Sequence, residues 1–164
     1  MSSSSAQHGR FARTGDVAPA LLRALSNPAT YGCAAVDVHE THASRVFVAG
    51  GRAYKVKKPV AFGFLDYSTL GRRHRACVEE VRINQELAPG LYVGVRAIVR
   101  TEMGYAFAPP NEEAAGAVEY AVEMRSFDES DTLSGLIRSE ALTAEHLEAV
   151  ARRLAEFHRT APAV

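Results

Sequence analysis

The stretch "RVFVAGGRAYKVKKP", Arg45–Pro59, decides the architecture. Val46 and Val48 lie two apart, Gly50 and Gly51 interrupt, and Tyr54 and Val56 resume the same period. A period of two is that of a half-buried strand, and a glycine pair between two such runs marks a hairpin, because the tightest hairpin turns need positive φ. Upstream, "AAVDVHE" carries Val36 and Val38 at the same spacing, so three antiparallel strands are expected between Ala34 and Pro59.

The same stretch holds every lysine of the chain, Lys55, Lys57 and Lys58, whereas arginine supplies the other sixteen of nineteen basic side chains. An ammonium is a compact point charge and a guanidinium a planar fork. A chain that otherwise uses arginine and gathers its lysines on one strand end points to a task for which the point charge is better suited.

Working outward, "DVAPALLRALSNP" reads as a short helix with Asp16 as N-cap and Leu21, Leu22 and Leu25 on its apolar side, packed as an appendage. Residues 1–15, serine-rich and polar, are expected to be a disordered tail. "STLGRRHRACVEEVRINQELAPG" is a helix opened by Ser68 or Thr69 and closed by "APG", with Leu70, Cys77, Val81 and Ala88 on one stripe. Glu79 falls opposite that stripe, within reach of Arg75 at i−4, and Glu80 at its edge. "LYVGVRAIVR", "GYAFA" and "AVEYAVEMRSF" follow as strands. The last helix, "LTAEHLEAVARRLAEFHRTAP", has Thr143 as N-cap, an apolar face of Leu147, Val150, Ala151, Leu154 and Phe157, and Pro162 at its end. The expected class is α+β, an antiparallel sheet of about five strands with one main packed helix.

Composition describes an ordinary globular chain: 164 residues, 47% hydrophobic, 23% charged, net charge zero. Zero net charge speaks against a dedicated nucleic-acid binder, and "RRHR" at 72–75 lacks aromatic interleaving, so Arg72 and Arg75 read as a solvated face. Cys33 and Cys77 form no CxxC and read as buried thiols of a reducing, cytoplasmic setting; no apolar run reaches membrane length. His39 and His42, with Cys33 nearby in sequence, could supply metal ligands, but the two histidines fall on opposite faces of a regular strand and no fourth ligand is in view, so no metal site is expected; His158 reads as a core histidine.

A strand lysine followed by a helix glutamate and further strands suits a nucleotide-binding lobe, where the lysine meets phosphates and the carboxylate holds it. Ala53 and Lys55 share a strand face, with the small residue leaving room for adenine. Glu80 fits as partner better than the outward Glu79. Taken singly, Lys55 and Glu80 read better as a solvated strand-end lysine and an ordinary surface acid, because structural charges outnumber functional ones.

The segment "HETHASRVFVAGGRAYKVKKPVAFGFLDYSTLGRRHRACVEEVRINQELAPGLYVGV" resembles the amino-terminal lobe of the aminoglycoside phosphotransferase family, a branch of the protein-kinase-like fold. It is most similar to the version that precedes a P-loop kinase in two-part bacterial proteins, over Asp16 to His158. The resemblance implies ATP as ligand, Lys55 as phosphate-contacting lysine, Glu80 as its partner, and a hinge at Tyr120–Phe127, with backbone around Glu123, Met124 and Arg125 meeting adenine within one or two residues. It implies an N-lobe over 16–118, a last strand and hinge over 119–127, and the start of a helical lobe from 128. Asp128 and Asp131 read as ribose contacts or, better, as helix caps.

Two departures bear on activity. The loop that would cover phosphates is "ETHASR", Glu40–Arg45, without the glycine pattern, leaving backbone amides and the Thr41 and Ser44 hydroxyls for that role. No H-x-D occurs, and no aspartate follows Asp131, so the catalytic base and Mg2+ ligands of such a fold are not among these residues. The expectation is an ATP-binding lobe of a small-molecule phosphotransferase, truncated and inactive alone. The alternative is a non-catalytic interaction or regulatory module, or half of a split enzyme. Its helix 147–157 would then meet a separately encoded lobe or a second copy.

Overall fold

In the computed structural model, which describes residues 17–112 and 114–160, Gly50 and Gly51 both take positive φ, 56° and 75°. Both central positions of a type I′ turn need that region, which glycine enters without a Cβ penalty. They join strand β2 (Ser44–Ala49) to β3 (Arg52–Lys57), and β2 pairs on its other side with β1 (Asp37–Glu40). The three expected strands are therefore present. Asp16, the polar start and Pro162 lie outside the described residues.

The remaining strands are β4 (Ala61–Phe62) and β5 (Leu65–Asp66), a small separate hairpin, then β6 (Tyr92–Thr101), β7 (Gly104–Phe107) and β8 (Ala117–Arg125). The main sheet has six strands, one more than expected, in the order β1-β2-β3-β8-β6-β7, every neighbouring pair antiparallel. The last strand in sequence enters between β3 and β6, which buries it on both edges.

Both faces of this sheet are covered, and this reorganises the sequence reading. On one face Phe47, Tyr54, Val56, Ile98 and Ala121 form a core with Leu21 and Leu25 of helix α1 (Pro19–Leu25). Helix α1 is thus part of the core and not an appendage; each buried leucine is worth roughly 1.5–3 kcal/mol. Its N-cap is Ala18, without a side-chain cap bond, and Pro19 follows at a position where its missing N–H costs nothing. On the other face Val95 and Val122 pack against Cys77 and Val81 of helix α2 (Leu70–Leu87), opened by Thr69, whose hydroxyl accepts the Arg72 N–H at 3.3 Å. Val46 and Val48, paired with Lys55 and Ala53, lie on this second face and are half-buried, while Phe47 between them is fully buried on the first.

Burial pushes the Cys77 thiol up to about 12, so it stays protonated, as the buried reading required. Cys33 is only half-buried, because it follows the αL residue Gly32 on a surface turn and donates to the Ala35 carbonyl at 3.0 Å.

After β8, Asp128 caps a short 3-10 turn over Glu129–Asp131 by accepting the Ser130 N–H at 2.8 Å, a cap rather than a ribose contact in this conformation. Thr132 caps helix α3 (Leu133–Arg138), and a Cβ on Gly135 would stand 2.3 Å from the Glu129 carbonyl oxygen, so only glycine fits there. Helix α4 (Ala144–Thr160) follows Thr143, whose hydroxyl lies 3.0 Å from His146 Nδ1. Arg153 ties α4 to α2, donating to the Leu87 carbonyl at 2.9 Å and to that of Glu86 at the end of α2, where a cation meets the negative end of the helix dipole. Leu147, Val150 and Leu154 are exposed. So is His158, on a stripe of which only Phe157 is half-buried, and the core reading fails. No helix among the described residues is long and apolar enough to cross a membrane.

Candidate functional site: two lysines on one carboxylate

Strand alternation directs Ala53, Lys55 and Lys57 toward α2 and Tyr54 and Val56 toward α1. From the middle of α2, Glu80 reaches back to the sheet. Lys55 Nζ donates to Glu80 Oε1 at 2.8 Å, and Lys57 Nζ donates to Glu80 Oε2. Asn84 Nδ2 donates to the Glu80 carbonyl at 2.8 Å. Lys57 Nζ also sits 5.3 Å from the centre of the Tyr67 ring, within cation–π range.

Exposure separates the three lysines. The Lys57 side chain is 4% exposed and that of Lys58 15%, whereas Lys55 keeps 30%. Burial pushes the Glu80 carboxyl up, but hydrogen bonds from Lys55 and then Lys57 outweigh it and hold it below its ordinary value. For Lys57, burial pushes down and the Glu80 carboxylate more than restores it, leaving its pKa raised. Both groups are therefore charged at neutral pH, and two ammonium groups against one carboxylate leave the cluster with a net positive charge.

Lys58, like Lys55 and Lys57, has a carboxylate partner. Lys58 pairs with Glu40 and donates to the Thr41 carbonyl, closing the Glu40–Arg45 loop onto the end of β3. Within that loop the Ser44 N–H donates to Thr41 Oγ1 at 3.1 Å, and the Thr41 N–H to the Ser44 carbonyl at 2.9 Å. Thr41 is exposed, but Ser44 is 3% exposed, so its hydroxyl does not face solvent in this conformation. A depression lined by Glu40, Thr41, His42 and Lys58 lies on the outer side of the loop. His39 and His42 are both exposed.

At the other end of β3, Ala53 pairs with Val48 on one side and Met124 on the other, and Met124 pairs with Tyr92, giving a largely apolar row two residues from Lys55. Glu123 points to the opposite face, 5% exposed, with its carboxylate 3.2 Å from Arg96 Nε and 3.7 Å from Arg52 Nε. The Arg125 N–H is taken by the Leu91 carbonyl at 2.9 Å and the Ser126 N–H by the Gly51 carbonyl at 3.1 Å, so sheet bonding runs on to Ser126. These donors are not free for a ligand edge.

Sequence reasoning missed the anchor of α2. Arg73 Nε donates to both oxygens of Glu119 at 3.0 and 2.9 Å, and its Nη1 to the Tyr67 carbonyl at 3.1 Å. Burial pushes the Glu119 carboxyl up, and the Arg73 and Tyr120 N–H bonds offset this only in part. Arg73 lies two helical turns before Glu80 on the same face, so this pair sets the orientation from which Glu80 projects. Glu79 takes Arg82 as partner at 2.9 Å rather than Arg75, both exposed, since three residues serve as well as four on a helix surface. Arg72, as expected, is exposed, and pairs with Asp66. A groove of about 420 Å3 between α2 and β6, floored by Val78, Val81, Val95 and Tyr120, includes neither Lys55 nor Glu80.

No family model matches the chain. No solved structure matches it either. It is 33% identical over 126 residues to an uncharacterized protein of Mycobacterium tuberculosis (strain H37Rv) and, to the same extent, to one of Mycobacterium bovis. The match covers 77% of this chain and 23% of each relative, so the chain spans about a quarter of the length of the curated relatives it matches.

Proposed function

We propose that the chain is the nucleotide-binding lobe of a kinase-like small-molecule phosphotransferase, with Lys55 meeting the phosphates of ATP. The observation that carries this reading is the 2.8 Å pair between Lys55 and Glu80, in which the strand lysine, alone of its cluster, keeps substantial exposure. A phosphate needs a cation with room to move, and a purine needs a small apolar floor beside it. Lys55 fits the first need, and the row Val48, Ala53, Met124, about 7 Å along the strand, fits the second. Among the described residues no group of three or more His, Cys, Asp or Glu side chains is placed to hold a metal ion. When bound, ATP would supply the transferable phosphoryl group; Lys55 and Glu80 would orient its phosphates. The test is calorimetric titration with ATP: wild type is expected to bind and Lys55→Ala to lose at least tenfold in affinity, and equal binding by the two would sink the assignment.

A second reading, an interaction module, is favoured by one observation. Leu147, Val150 and Leu154 form an exposed stripe along α4, with Phe127, Leu133 and Ile137 also exposed in the preceding segment. Contiguous exposed apolar patches mark interaction sites. Sedimentation across a concentration series is expected to show self-association, or a hydrophobic dye to bind, with Leu147→Glu/Leu154→Glu abolishing either; a non-binding monomer would remove this reading.

A further inference from the structure

The cluster holds a second lysine that a simple lysine–glutamate pair does not require. Lys57 is nearly fully buried, fixed between Glu80 Oε2 and the Tyr67 ring, and has no open path to a ligand. Lys55 shares the same carboxylate through the other oxygen and is partly open. We infer that Lys57 is a positioning residue, a standing counter-ion that keeps Glu80 seated and charged and so lets Lys55 turn toward an anionic ligand. The inference rests on the nucleotide reading of the site.

The argument is one of charge balance. If Lys55 were the sole partner of Glu80, drawing it toward a phosphate would leave a mostly buried carboxylate without a cation, a strongly unfavourable state. Lys55 would then be held back by its own partner. With Lys57 on the second oxygen, Glu80 stays compensated whether Lys55 is home or away, and the extra positive charge favours an anion at the mouth of the site. Tyr67 and the surrounding burial keep Lys57 from following Lys55 outward.

Three lysines in the whole chain make this directly observable, since 13Cε-lysine labelling gives three side-chain signals, each assigned by substitution. On titrating the wild-type chain with ATP, the Lys55 signal is expected to shift and the Lys57 signal to stay. A shift confined to Lys57, or equal shifts in both, would overturn the inference. Calorimetry supplies the second arm. Lys57→Met is expected to weaken ATP binding on the order of tenfold although Lys55 is intact, while adenosine, which has no phosphate, binds as before; tenfold corresponds to about 1.4 kcal/mol. Lys57→Met/Glu80→Gln, which removes the carboxylate that would retain Lys55, is expected to recover most of the loss. Lys57→Met binding ATP as tightly as wild type, or no recovery in the double variant, would reject the positioning role while the nucleotide reading stands. No ATP binding by wild type would reject both.

Discussion

Glu80→Ala is expected to destabilise the chain by about 3–5 kcal/mol, the usual consequence of removing one side of a buried ion pair. Two ammonium groups would remain beside each other. Lys57, nearly fully buried, has no water to turn to, and Lys55, more exposed, would relax outward and recover part of its hydration. Against a total stability of about 5–15 kcal/mol for a domain, this is a large fraction. Glu80→Gln keeps hydrogen-bond acceptance and should cost less. The pH dependence has a definite sign. The Glu80 carboxyl lies below its ordinary value of 4.5 in the folded chain, so its contribution is present above 4.5 and is lost as pH falls through the lowered folded value. Urea unfolding of wild type and Glu80→Gln at pH 7 and in steps below 4.5 should therefore give curves that converge with acidification. A constant gap across that range would mean that Glu80 is not acting through its charge.

What could be read from the chain depended on whether the deciding interaction was local. The Gly50–Gly51 turn was legible because its φ requirement belongs to two adjacent residues. The Lys55–Glu80 pair was legible because strand period and helix stripe each constrain one partner. Strand alternation puts Lys57 on the face of Lys55, but its burial is set by Tyr67 and by the height at which α2 crosses the strand, which no local pattern encodes. The role of α1 was misjudged because three leucines on one side announce a buried helix without saying where it docks, and the sheet face that α1 covers was not anticipated. Arg73 did leave a signal: it lies four residues before Cys77 and eight before Val81, on the buried stripe, where an arginine demands a partner. Its polarity hid it among "RRHR", and Glu119 is too distant in sequence to suggest the match.

That pair makes the other strong prediction. Glu119 is 1% exposed, and its remaining bond in Arg73→Met would be to the Tyr120 N–H, so the variant should lose about 3–5 kcal/mol at neutral pH. Here the sign with pH is opposite to that of Glu80. Burial raises the Glu119 carboxyl above 4.5 in the folded chain, so its contribution is full below 4.5 and is lost as pH rises through the raised value. Removing the cation raises it further. The deficit of Arg73→Met should accordingly be greatest near pH 7 and shrink on acidification, as the buried group takes up a proton. Replacing both members, Arg73→Met/Glu119→Leu, should recover much of the loss, because an apolar pair of similar volume carries no desolvation penalty. A double-mutant cycle in urea separates these terms. If the cycle gives strong coupling and the double variant is stable yet binds ATP less well than wild type, the pair acts on function by fixing the angle of α2. If ATP affinity is unchanged, Glu80 is held in place by its lysines alone.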